Sequence, residues 1–164
     1  MTSVLATGLL ALAGVLAAPP AAPKFPGADV APPVTKAADG STLLELHQLV
    51  CVFQEGEPDA LPYTAKTPAE CERVNRASAD KRKKAFKRLR IRAGKYTLRV
   101  VNTNVPWPTA FDLRGERDVA LPTAVASEIQ PGTGKEIKVT LEPGQYVYTD
   151  PVSKTATYEL LVER

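Results

Sequence analysis

The chain has 164 residues, with 21 lysines and arginines against 18 aspartates and glutamates, for a net charge of +3. That length supports one domain with a real core plus accessories, and that charge is too small to imply a polyanionic partner by itself. One histidine, one methionine and two cysteines exclude, within one chain, any metal centre that needs two imidazoles.

The apolar run Val4 to Ala18 carries no charge, falls short of the roughly 20 residues of a spanning helix, and ends in small residues. It predicts a secretory signal over residues 1–17, although no lysine or arginine precedes it. Residues 18–40, rich in proline and alanine up to Pro33, cannot bury enough apolar surface to offset their ordering entropy, which predicts a tether. The folded domain is then 41–164, placed in the periplasm or outside the cell, with no transmembrane span left after cleavage.

Thr42 to Gln54 reads as the first strand, with Leu44, Leu46, Val50 and Val52 on one face and Glu45, His47, Leu49, Cys51 and Phe53 on the other. A proline-containing loop leads to Thr67-Pro68-Ala69-Glu70, the form of a capping box with proline at the first helical position. The helix is expected to reach about Arg76, with further helical turns between Ser78 and Phe86, making an insertion over about 67–86. Two cysteines in an exported chain predict a disulfide between Cys51 and Cys71, with a pair of thiolate metal ligands as the alternative.

Lys81 to Lys95 carries nine lysines and arginines. From Lys87 it alternates like a strand, Leu89 and Ile91 inward, Arg88, Arg90 and Arg92 outward. These three arginines are the candidate site for an anionic partner. Against that stands a solvated edge strand whose charges discourage aggregation, and this reading is the stronger: any anion affinity is then weak. With Phe86 the one aromatic in the run, specific nucleic-acid recognition is not expected.

Ala93-Gly94-Lys95 turns into a strand with Tyr96, Leu98 and Val100 inward, ending at the corner Asn102-Thr103-Asn104-Val105-Pro106-Trp107-Pro108. Phe111 to Leu113 is a short strand, Val119 to Gln130 a loop, and Lys135 to Leu141 a strand. Glu142-Pro143-Gly144-Gln145 fits a type II turn into Tyr146-Val147-Tyr148-Thr149-Asp150, and Tyr158 to Val162 closes the chain. About seven strands separated by turn signals define an all-β, antiparallel Greek-key sandwich.

The strand–loop–strand ending at Glu142 to Val162 and the corner at Asn102 to Trp107 resemble the cupredoxins, the small β-sandwiches that include the blue-copper carriers. The resemblance extends in pattern over about Thr42 to Arg164, and in particular to a group of exported bacterial cupredoxin-like proteins with a cysteine in the first strand and another in a helical insertion. It implies a copper-binding cysteine where Asp150 stands and a histidine ligand about where Trp107 stands. The loop Thr149 to Thr157 holds no histidine, cysteine or methionine, so a blue-copper site is missing and no cofactor is expected. Other metal ligands are conceivable at His47, and at Asp112 if it meets Asp150 to offer hard oxygen donors. Hydrolysis would need His47, which sits mid-strand, and no glycine-rich phosphate cradle occurs. Two classes of function remain: a non-enzymatic binding or assembly module with an unknown protein or ligand partner, and a periplasmic metal (copper) binding protein with an unusual ligand set.

Overall fold

The computed structural model describes residues 27–60 and 63–164. The expected signal over 1–17, and the tether as far as residue 26, lie outside these residues.

Two sheets face each other. Residues expected to be tether form two short strands instead, β1 (Ala28–Val30) and β2 (Val34–Lys36), one on each sheet. They are held by pairing that local composition does not show: β1 runs beside β5 (Lys87–Arg92), and β2 beside β3 (Thr42–Leu49). Along β3, Leu44, Leu46 and Gln48 point inward. The chain then turns back at Val50-Cys51, with Cys51 at φ 69°, into β4 (Val52–Phe53). The expected single strand to Gln54 is therefore a tight hairpin, which moves Phe53 into the core and takes Cys51 out of the strand.

The helix α1 spans Pro68–Arg82 and continues as a 3-10 turn over Lys83–Ala85. The Thr67 hydroxyl accepts from the Glu70 N–H at 3.3 Å, as the capping motif requires. The Glu70 carboxylate reaches the N–H of Lys66 at 2.7 Å rather than that of Thr67. A single helix, longer than expected, results.

The remaining strands are β6 (Gly94–Asn102), β7 (Thr109–Gly115), β8 (Ala124–Ile129), β9 (Gly134–Leu141), β10 (Gly144–Thr149) and β11 (Tyr158–Glu163). One sheet has the order β1-β5-β11-β10-β7-β8, the other β2-β3-β6-β9 with β4 against β3. The sandwich with a helical insertion is as expected, but the pairing is mixed: β1 with β5, β5 with β11, and β3 with β6 are parallel. The segment expected to be a loop between Val119 and Gln130 contains β8, which carries the first sheet to its far edge. At the turn before β10, Gly144 is not in the left-handed region, so the turn is not type II. A Cβ at Gly144 would lie 2.7 Å from the end of the Leu121 side chain, which would have to shift to admit it.

The core is aromatic. Phe53 meets Tyr148, Tyr158 and Phe111 edge-on at 5.1, 5.6 and 6.1 Å, and Tyr148 stacks on Tyr158 at 5.4 Å. These inward residues of β7, β10 and β11 fix the position of the loop that ends the sandwich.

Candidate functional site

The loop between β10 and β11 and the corner after β6 meet at one end of the sandwich. The corner is built on Asn102, which is fully buried. Its amide donates to the carbonyls of Trp107 and Ile129 at 2.9 and 3.1 Å, and its carbonyl accepts from the Val105 N–H at 3.0 Å. Beside it the buried Gln48 donates to the Ala110 carbonyl at 2.7 Å and accepts from the Thr109 hydroxyl at 2.5 Å.

Asp150, at the position where the resemblance implies a copper-binding thiolate, is 1% exposed. One carboxylate oxygen accepts from the N–H groups of Ala110 and Val152, each at 3.0 Å, and the other from the Ser153 hydroxyl. Ser153 in turn accepts from the Trp107 indole N–H at 3.1 Å. Burial pushes the Asp150 carboxyl above the usual carboxylate range, and its hydrogen bonds oppose that rise without cancelling it. The two positions singled out from sequence, Trp107 and Asp150, are thus brought together through Ser153. They make a closed polar chain rather than an open coordination sphere.

The other candidates are elsewhere. Asp112 lies across from Thr149 in the β7–β10 ladder and pairs with Arg114 at 3.0 Å, so it does not meet Asp150. His47 stands between two carboxylates, Nδ1 at 2.7 Å from Glu55 and Nε2 at 3.0 Å from Glu45. Among the described residues, no group of three or more histidine, cysteine, aspartate or glutamate side chains is placed to hold a metal ion. Cys51 and Cys71 form a disulfide, pinning α1 to the turn after β3, and Val105 and Trp107 pack against it.

Strand β5 is not an edge strand, since β1 covers it. Arg88 donates to both oxygens of Asp29 at 2.8 and 3.1 Å, and Arg90 pairs with Asp29 and Glu163. Arg92 donates to the main-chain oxygen of Arg164 at 2.9 Å. The three arginines therefore hold chain segments together instead of facing only water.

One buried ion pair had no signal in the sequence. Glu57, in a loop, accepts from Arg82 at the end of α1 and from the Tyr158 hydroxyl at 2.6 Å. Arg82 also donates to Asn75 at 2.5 Å, and Asn75 donates to the Cys51 and Lys154 carbonyls at 3.2 and 3.0 Å. Burial weighs most against the Arg82 charge, but Glu57 outweighs it and leaves the guanidinium pKa raised. Within a run of nine cations nothing marks Arg82 as the one that pairs with the buried Glu57.

No protein-family profile and no curated protein matches the chain. Among solved structures it is similar to a reduced auracyanin from Roseiflexus castenholzii, at 15% identity and TM-score 0.46, covering 76% of this chain and 98% of that one. A multicopper oxidase is similar at 15% identity and TM-score 0.45, over 82% of this chain and 47% of that one. A reduced rusticyanin is similar at 12% identity and TM-score 0.42, over 74% and 79%.

Proposed function

We propose that this is an exported, cupredoxin-like, non-enzymatic binding or assembly module without a type 1 copper site. The observation that carries the reading is Asp150. Its carboxylate is occupied by two main-chain N–H groups and the Ser153 hydroxyl, so the loop end is filled by hydrogen bonds where a soft-metal centre needs thiolate and imidazole. Export is supported by the disulfide, a bond that persists in oxidising compartments. Among the described residues no helix is long and apolar enough to cross a membrane.

A second reading, a metal-binding protein with an unusual ligand set, has His47 as its candidate ligand, with carboxylates at hydrogen-bond distance from both ring nitrogens. Elemental analysis of the protein purified from the periplasm separates the two. The first reading expects no stoichiometric transition metal. One metal per chain that His47→Gln abolishes would replace it with the second.

A further inference from the structure

Strand β1 leaves the first sheet at Val30, opposite Leu89, and the chain crosses to β2 on the second sheet through Ala31-Pro32-Pro33. Neither proline has an N–H to give to a ladder. Among the described residues no strand therefore pairs with β5 on that edge from Arg90 to Arg92. The gap is a cleft of about 700 Å³ between the edges of the two sheets, a volume within the range of small-ligand sites. Because the edge is open, both faces of β5 reach the cleft, Ile91 from the core face and Arg90 and Arg92 from the outer one.

The lining is part apolar and part cationic. Val30 and Val34 join Ile91 there, and Val34 is 45% exposed, so the fold itself does not cover it. Two carboxylates also line the cleft, Asp29 and Glu163, and both are already engaged. Arg88 donates to both oxygens of Asp29, and Arg90 pairs with Asp29 and with Glu163. Lys36 from the second sheet and Arg92 from the first line the same cleft. Neither has a carboxylate side chain within salt-bridge distance among the described residues. Lys36 makes a long hydrogen bond to the Thr42 hydroxyl at 3.4 Å. Arg92 gives one N–H to the main-chain oxygen of Arg164, which leaves the rest of its fork of donors for a ligand.

We propose that this cleft binds a small organic acid, its carboxylate held by Lys36 and Arg92 and its apolar body against Val30, Val34 and Ile91. An inorganic anion would leave the valines in water, and a neutral apolar compound would leave the two cations without a counter-charge. The proposal rests on the reading of the chain as a binding module and names the ligand class of one site. That reading fails on stoichiometric bound metal, a different measurement from the one below.

The test is a fluorescence titration of the purified protein with anilinonaphthalene sulfonate, an aromatic anion that brightens in apolar surroundings. The expected result is saturable binding of one dye per chain, displaced by naphthoate and not by naphthylmethanol, which carries the ring without the charge. Lys36→Gln and Arg92→Gln each weaken dye binding roughly fivefold, and Val34→Asp, which puts a carboxylate at the cleft, abolishes it. Lys84→Gln, at an exposed lysine that does not line the cleft, leaves it unchanged. If Arg92→Gln does not fold, Lys36→Gln and Val34→Asp, both at exposed positions of β2, carry the test. The absence of saturable binding, displacement by naphthylmethanol as well as by naphthoate, or unchanged binding in Lys36→Gln and Val34→Asp would overturn the proposal.

Discussion

At the scale of single residues, the loop end is governed by a buried acid. The folded Asp150 carboxyl holds its proton more tightly than the unfolded one, because burial raises its pKa. Between the unfolded and folded values the folded state binds more protons, so stability falls as pH rises through that window and stays lower above it. In Asp150→Asn this part of the pH dependence is expected to vanish. Thermal unfolding of both proteins from acid to neutral pH measures it: the stability of the native protein relative to the variant should decline as pH rises, and a rise would show that the ionised form is the favoured one. Tyr148 gives a second residue-scale test. Its hydroxyl is buried with no hydrogen-bond partner, and a buried donor left unpaired costs about 1 kcal/mol or more. Tyr148→Phe is therefore expected to stabilise the protein by about 1 kcal/mol in urea unfolding. A loss of that size would mean that the hydroxyl has a partner in solution.

At the scale of elements, α1 is fastened to the sandwich twice, by the Cys51–Cys71 disulfide and by Arg82 on Glu57. Reducing the disulfide, which closes a separation of 20 residues, is expected to lower stability by about 3 kcal/mol. Thiol labelling of the denatured, unreduced protein should find no reactive cysteine. Arg82→Ala leaves Glu57 buried without its cation and is expected to cost about 3 kcal/mol, measured by chemical unfolding. A cost near zero would place that pair in solvent. The two fastenings are not equally legible in sequence. Cysteine count and the Thr67–Glu70 capping pattern announce the helix and its disulfide, because those signals are local. Arg82 and Glu57 are 25 positions apart, and each has the local pattern of an exposed residue.

The same distinction holds along the sheets. Strands β5, β6, β9, β10 and β11 alternate with period two, and their inward residues Leu89, Leu98, Leu141, Tyr148 and Leu160 are buried as expected. Strand β8 was not legible: its inward residues include the small Ala124 and Ala126, and a register shift with a positive φ at Glu128 breaks its period. Strands β1 and β2 were hidden because three-residue strands flanking prolines exist only through partners such as Arg88 and Leu44, far along the chain.

At the scale of the whole molecule, two facing sheets present one loop end, and the residues there settle what chemistry it supports. The positions Trp107 and Asp150 were legible from the corner and hairpin they occupy. The chain that joins them was not, since Ser153 is 46 positions from Trp107. Asp150→Cys alone is expected to leave the protein without a blue-copper centre, since the chain has a single histidine and a thiolate centre of that kind needs two imidazoles. The most direct measurement is a copper(II) titration of the unmodified protein, following visible absorption and then bound metal after desalting. The account predicts no intense thiolate-to-copper band and no retained stoichiometric copper. An intense band with one tightly held copper per chain would contradict it.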